Sequence, residues 1–314
     1  MASFKTLYFV VGALRSGSTM LRLMLDHHPQ IACNGDSEYL VDSMHHPDER
    51  PDIKLYGEWL STHRIFRDHG FKIDPRLNYH ELATSFITQF SEKSKKPVVG
   101  ALVHRHFDRL LGLWPEARYI HIVRDGRDVA NSCVQMGWAG NPWVAADIWK
   151  TAEICWQETK DLIPESNRYE VKMEELVKDP ASVLQGICEF LGVSYSELML
   201  SYPKHTTYEL PDQSLLFQWK RKMTTEQCRY VESKIGRILE DRGYDLSQAN
   251  STPLNWPTRF YLRLEDVVKR HQFRIRRYGL SLWFMDMLSR RLSIRTLQKA
   301  LLLKINDIDQ QHLR

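Results

Sequence analysis

Apolar and polar positions fall along this chain in blocks that set short strands against longer helices. Leu7 to Val11 is an unbroken apolar run, short enough for a buried strand, and the segment Gly12-Ala13-Leu14-Arg15-Ser16-Gly17-Ser18-Thr19 follows it directly. Met20, Leu21, Met24 and Leu25 then recur at helical spacing. His28-Pro29 predicts the end of that helix, because proline disfavours helical geometry in the residue before it. Residues 42–80 mix histidines, prolines and charges and read as a loop or lid with short helices, the kind of insertion that carries specificity. Pro97 to Val103 reads as a strand, and Phe107, Leu110 and Leu111 as a helix ending near Pro115. Arg118 to Val123 is the clearest strand pattern, and Arg168 to Lys172 a further one. Helices are predicted from about Val129, over roughly 143–162, and over 180–191 and 224–242. Strands alternating with helices give an α/β fold with a largely parallel sheet.

After the polar stretch 245–253 the pattern changes. Residues 255–304 are aromatic, leucine-rich and basic, which predicts a main domain over 1–250 and a helical extension over 251–314. Phe260, Leu264, Val267 and Val268 are helically spaced, with Arg270, Arg274, Arg276, Arg277, Arg290 and Arg291 interleaved. One reading packs this stripe on the catalytic core, where apolar helical stripes usually face. The other meets a membrane surface, a partner or a second copy of the chain.

Composition narrows the class. The 314 residues are 43% hydrophobic and 26% charged, ordinary for a globular protein. A net charge of +4 suits an anionic ligand but is too weak to imply nucleic acid. Cys33, Cys133, Cys155, Cys188 and Cys228 are scattered and odd in number, which reads as reduced thiols and a cytoplasmic location. No run reaches the roughly 18–20 apolar residues of a membrane helix. Phe4 to Val11 runs straight into the glycine segment and has no signal-peptide pattern. His27-His28 and His45-His46 lack Cys or carboxylate partners at metal-ligand spacing, so no metal site is expected.

The candidate chemistry starts at the glycine segment. The spacing of Gly12, Gly17 and Thr19 fits the Walker A pattern of strand, tight turn and helix, in which backbone N–H groups cradle phosphate oxygens. Ser18 stands where that pattern requires the lysine that serves β- and γ-phosphates, and Arg15 carries a positive charge three residues earlier. The loop is therefore built for a smaller anionic group than a triphosphate. Arg124 follows the strand ending at Val123, and Ser132 lies eight residues on in the next helix. An arginine at a strand end and a hydroxyl near a helix N-terminus grip a phosphate from two sides. The bland alternative makes Arg124-Asp125 and Arg127-Asp128 a surface ion-pair cluster of little energetic weight.

LRSGSTMLRLMLDHHP, YIHIVRDGRDVANS and MEELVKDPASVLQGICEFLGVSYSE, in that order, resemble the sulfotransferases that depend on 3′-phosphoadenosine-5′-phosphosulfate (PAPS). The first segment is similar to tyrosylprotein sulfotransferases and their bacterial relatives, and the likeness covers about residues 5–245. It implies a P-loop NTPase-like three-layer sandwich and transfer of a sulfuryl group from PAPS to an acceptor hydroxyl, leaving PAP, with no metal required. By the same resemblance Arg15, Ser16, Gly17, Ser18, Thr19 and Met20 hold the 5′-phosphosulfate, while Arg124 and Ser132 hold the 3′-phosphate. Arg221 and Lys222 are the matching further cations, with a solvated charge run as the alternative.

The family's bacterial and tyrosylprotein members place a glutamate base after the His-Pro and a Gly. Counting from Arg15 puts Asp36 there, with Glu38 two residues on, and the choice between them stays open. The histidine base of the cytosolic members would correspond to His104 or His106. A Lys-Thr-Pro segment of many relatives is missing, so Arg15, a histidine or Lys95/Lys96 would compensate at the sulfate. Met173 stands where relatives often carry a tyrosine near the adenine, and Trp138 or Trp143 is a candidate wall for the acceptor. The acceptor class is left open among small molecules, carbohydrates, lipids and tyrosine. The competing functions are a non-catalytic PAP(S)-binding module and an atypical P-loop kinase lacking the Walker lysine.

Overall fold

Five short runs become the strands of one sheet in the computed structural model, which describes residues 4–46, 49–247 and 252–312. In chain order the elements begin β1 (Thr6–Val11), α1 (Ser18–Asp26), β2 (Ile31–Asp36), α2 (Ile53–Leu60), α3 (Arg64–His69), α4 (Tyr79–Ser94) and β3 (Val98–Val103). They continue with α5 (Leu110–Leu113), β4 (Arg118–Val123), α6 (Gly126–Gln135), α7 (Pro142–Thr159), β5 (Arg168–Lys172), α8 (Met173–Lys178) and α9 (Pro180–Leu191). The chain then runs through α10 (Trp219–Lys222), α11 (Thr225–Asp241), α12 (Trp256–Tyr278), α13 (Leu280–Arg291) and α14 (Arg295–His312). The strand order is β2-β3-β1-β4-β5, and every pairing is parallel.

Side chains alternate across the sheet with the period of two that strands impose. Phe9 and Val11 of β1 enter one core with Val99, Ala101, Val103 and Tyr119, where Phe86, Val129, Trp149 and Val231 of α4, α6, α7 and α11 cover them. Tyr8 and Val10 enter the other core with Leu102, Ile120 and Ile122, beneath Leu21 and Leu25 of α1 and Leu184 and Ile187 of α9. Helices on both faces are what an all-parallel sheet requires.

Two elements that contact β3, the strand β2 and the helix α4, are absent from the hydrophobic pattern. In β2 only Ile31, Ala32 and Cys33 are strand-like; Asn34, Gly35 and Asp36 are poor strand formers held by pairing with β3 alone. The register shifts between Asn34 and Asp36, and Glu38 follows in a short 3-10 turn. Helix α4 fills most of the gap left between the polar insertion and β3. Its start carries a reciprocal cap: Glu81 N–H donates to Asn78 Oδ1 and Asn78 N–H to Glu81 Oε2, both at 3.0 Å. Elsewhere the boundaries move by a few residues. The helix predicted from Phe107 divides into a 3-10 turn, Phe107–Arg109, and α5. Helix α6 starts at Gly126, ahead of Val129, because the Asp125 carboxylate accepts from Arg127 N–H at 2.9 Å and caps it.

Because the strands are parallel, the loops after β1, β2, β3 and β4 meet at one edge, where such sheets bind ligands. Gly12 makes the first of these loops fit. Its φ is +140°, and a Cβ there would sit 2.3 Å from the backbone oxygen of Ile122.

The boundary expected near 250/251 lies outside the described residues. Beyond it, Leu254, Leu262 and Leu301 are the buried apolar side chains among the described residues, so the three helices are held by docking onto the rest of the chain. Asn141 Nδ2 donates to the Leu262 carbonyl and Gly140 N–H to the buried Asp266, each at 2.7 Å. At the far end Asn306 bonds Thr62 and Gln310 bonds Asp68, so the extension spans from the loop after α6 to α3. No helix among the described residues is long and apolar enough to cross a membrane.

Candidate active site

A cavity of about 1270 Å³ opens at this edge of the sheet. Its floor is the start of α1. Gly17, at φ +90°, is the N-cap and has no side chain to cap with, and the first turn carries no acidic residue. Gly17, Ser18, Thr19 and Met20 line the cavity, so the helix presents its open N–H groups and the positive end of its dipole there. Ser16 is fully buried, and its Oγ has no partner among the described residues.

Two arginines flank this floor. Arg15 takes a left-handed φ of 70°, and its Nε donates to Ser132 Oγ at 2.9 Å, tying the loop to α6. Arg124, directly after β4, donates to the Arg15 carbonyl at 3.1 Å, to Asp128 at 3.3 Å and to the Leu215 carbonyl at 2.8 Å. Its Nε is buried without a partner among the described residues. Residues 109 positions apart, Arg15 and Arg124, thus share one corner with Ser132. Met173 packs beneath, against Gly17, and also lines the cavity.

The same cavity carries acids, joined to the α1 floor through Ser18 and His104. Asp36 is half-exposed and lines the cavity. Burial against the cavity walls raises its pKa above the ordinary carboxylate range, more than the attraction of His104 lowers it. Glu38 is a different group. Only 3% exposed, it accepts from His104 Nδ1 at 2.6 Å and from the His104 backbone N–H at 3.2 Å. Burial opposes its charge, but the bond and charge of His104 win and hold its pKa low. Burial likewise opposes a charged His104, yet Glu38 and then Asp36 hold it above its usual value. Its Nδ1 meets Glu38 and its Nε2 lies 2.8 Å from Ser18 Oγ; when the ring is doubly protonated it donates to both. The Ser18 hydroxyl proton is then free to point into the cavity. The three ligand-type atoms of Asp36, Glu38 and His104 lie within 4.8 Å of one another.

Several expected positions fall elsewhere. Arg221 and Lys222 bond back to their own segment, to the Ser214 carbonyl and Gln218 Oε1, both at 2.7 Å, and neither lines the cavity. Lys96 pairs with Asp26 at the opposite end of β3, so the lysines before that strand stand away from the site. Of the two tryptophans, Trp138 lines the cavity, while Trp143 packs with Leu254 and Leu262. His106 is exposed and outside the cavity lining.

The Arg-Asp pairs after β4 are not a surface cluster. Arg127 is 2% exposed, bonds Asp125 through two nitrogens at 2.7 and 2.9 Å and Glu232 at 2.6 Å, and carries the Trp219 ring at 3.7 Å. Trp219 in turn donates its Nε1–H to Asp125 and its N–H to Asp128. The network fastens α10, and with it the cavity-lining residues Asp212, Ser214 and Leu215, to the end of β4. Sequence spacing did not reveal this role, because Glu232 lies 105 residues away.

The model of the Sulfotransferase family matches residues 8–197. A putative protein-tyrosine sulfotransferase of Caenorhabditis briggsae is 25% identical over 218 residues, 64% of this chain and 71% of that protein. The omega-hydroxy-beta-dihydromenaquinone-9 sulfotransferase Stf3 of Mycobacterium bovis is 27% identical over 153 residues, 43% of this chain but 38% of its own length. Among solved structures, the sulfotransferase domain from the curacin biosynthetic pathway has a TM-score of 0.57 at 18% identity, covering 79% of this chain and all of that one. At that identity the likeness is one of fold.

Proposed function

The chain belongs to the Sulfotransferase family, whose reaction is sulfuryl transfer, and from that premise we propose that it uses PAPS as donor and an acceptor hydroxyl as nucleophile. The observation that carries the proposal is one cavity that holds both a cationic, N–H-rich floor and a free carboxylate. The uncapped α1 N-terminus, Arg15, Arg124 and the half-exposed Asp36 all line it. The P-loop NTPase-like three-layer reading of the fold is supported by the two cores that sandwich the sheet.

In this reading the open N–H groups of Gly17 to Met20, with Arg15, hold the 5′-phosphosulfate end, and Arg124 with Ser132 holds the 3′-phosphate. The buried, unpartnered Arg124 Nε in the cavity lining is what remains to be satisfied in such a site. The bound donor supplies the sulfuryl group, and the new bond from acceptor oxygen to sulfur is balanced by release of PAP with the electron pair of the broken S–O bond. Asp36 takes the acceptor proton; a carboxylate is needed because a neutral alcohol is a weak nucleophile. Glu38 holds the His104 ring, and His104 positions Ser18. The missing Walker lysine fits a donor with no β- or γ-phosphate for it to reach.

Titration calorimetry tests the donor. PAP is expected to bind and ATP to bind at least tenfold more weakly, and Arg124→Ala is expected to cost about 10- to 100-fold in PAP affinity, the worth of a charge-assisted hydrogen bond. ATP binding without PAP binding would support the kinase reading instead. PAP binding without turnover on any acceptor would support the non-catalytic module. Dialysis against EDTA is expected to leave turnover unchanged, since Glu38 and His104 already satisfy each other. A loss restored by added zinc or magnesium would assign Asp36, Glu38 and His104 to a metal.

The acceptor remains the variable part. The worm relative's name specifies protein tyrosine and the mycobacterial relative's a menaquinone derivative; both are hydroxyl compounds, and this cavity has room for a donor and a sizeable acceptor together.

A further inference from the structure

The C-terminal helices turn their apolar side chains outward. Of the twenty large hydrophobic side chains exposed among the described residues, twelve lie between Trp256 and Ile294. Helix α12 explains how. Its docked side carries Leu262, Asp266 and Phe273, the last filling the space beside Gly137, where a Cβ would sit 2.3 Å from the ring. The opposite side carries Trp256, Phe260, Leu264, Val267, His271 and Tyr278 at intervals of three, four and seven residues, one stripe of the helix. Trp256 and Phe260 are 71% and 59% exposed and stack on each other at 5.8 Å. Helix α13 lies alongside through the bond from Trp283 Nε1–H to His271 Nδ1 at 3.0 Å, and it exposes Leu280, Phe284 and Leu288.

Cations flank this stripe. Residues 256–294 contain nine Arg and Lys against three Asp and Glu, a net +6 on a chain whose total is +4. Lys269, Arg270 and Arg290 pair with acids on their own helices, and Arg277 with Asp309. Arg259, Arg263, Arg274, Arg276 and Arg291 are exposed, and no carboxylate among the described residues lies within ion-pair distance of them. The stripe also runs into the cavity, whose lining includes Val267, His271, Arg274 and Tyr278. Outer patch and cavity mouth form one continuous surface.

We propose that the outer face of α12 and α13 docks on an anionic lipid bilayer, so that the cavity opens at the lipid surface. Exposed aromatic and aliphatic side chains flanked by unpaired arginines match an interface that is apolar below and negative above. A second copy of the chain is the poorer occupant, because a symmetric contact would set the same excess of positive charge against itself.

Vesicle sedimentation tests the proposal without donor or acceptor, so it stands or falls apart from the sulfuryl-transfer reading. The probes are phosphatidylcholine vesicles with and without phosphatidylglycerol. The protein is expected to co-sediment with the phosphatidylglycerol vesicles and to be partly released by high salt, which screens the arginines. Phe260→Glu combined with Leu264→Glu is expected to weaken that binding about tenfold or more. Both side chains are exposed and outside the cavity lining, so PAP binding by calorimetry is expected to be unchanged and serves as the folding control. Three results would overturn the proposal: no binding to phosphatidylglycerol vesicles, binding unaffected by the double substitution, or a concentration-dependent dimer by analytical ultracentrifugation that the double substitution abolishes.

Discussion

Asp36→Asn is expected to lower kcat by about 10²–10⁴, the usual contribution of a positioned general base, while leaving PAP affinity within a few-fold of the parent. The asparagine keeps the shape of the wall but cannot take a proton. The pH dependence distinguishes this from a misplaced side chain. Burial raises the Asp36 pKa, and the base works only when ionised. The acid limb of kcat/KM in the parent is therefore expected to fall through a pH above the ordinary carboxylate range, and Asp36→Asn to abolish that limb. The stability sign runs the other way. A carboxyl whose folded pKa lies above its unfolded value favours the fold at low pH, and that contribution is lost as pH rises through the folded pKa. Replacing it should thus raise the melting temperature at neutral pH as it removes activity. Full activity in Asp36→Asn, alongside its loss in Glu38→Gln, would move the base to the His104–Glu38 pair.

The second large effect is structural. Arg127→Ala is expected to cost about 3–5 kcal/mol in urea unfolding, because it leaves Asp125 and Glu232 buried without their cation. Removing one partner of a buried network costs far more than the network's net worth, since the remaining charges stay desolvated. PAP binding should weaken as well. Trp219 is held by Asp125, Asp128 and the Arg127 guanidinium, and it anchors the segment whose Leu215 carbonyl receives the Arg124 side chain. A loss below about 1 kcal/mol would be the cost of an exposed ion pair, and would show that this network is not closed to water.

How much could be read from the chain differs between fold and site. β1, β3, β4 and β5 follow continuous apolar or alternating runs, and their positions agree with the pattern to within one or two residues. β2 escaped because Asn34, Gly35 and Asp36 have no strand preference of their own; hydrogen bonds from β3, nearly seventy residues away in sequence, impose it. That strand carries Asp36, so the choice between Asp36 and Glu38 depended on an element the pattern hid. The outward face of α12 is a reverse case. Its periodicity was plain, but an apolar stripe alone does not say whether it meets a core or solvent.

The sequence by itself determined the phosphate loop: a strand, Gly12 and Gly17 at their spacing, a following helix, and serine in place of the Walker lysine. These are local features, set by backbone angles and side chains within about twenty residues of one another. Only the tertiary structure decided which acid is free and which is bound. Glu38 is held by His104 across 66 positions, Arg15 meets Ser132 across 117, and Arg127 is buried by residues on both sides of it. Burial and charge pairing sum over neighbours that the chain brings together only on folding, and that sum gives each carboxylate its proton affinity.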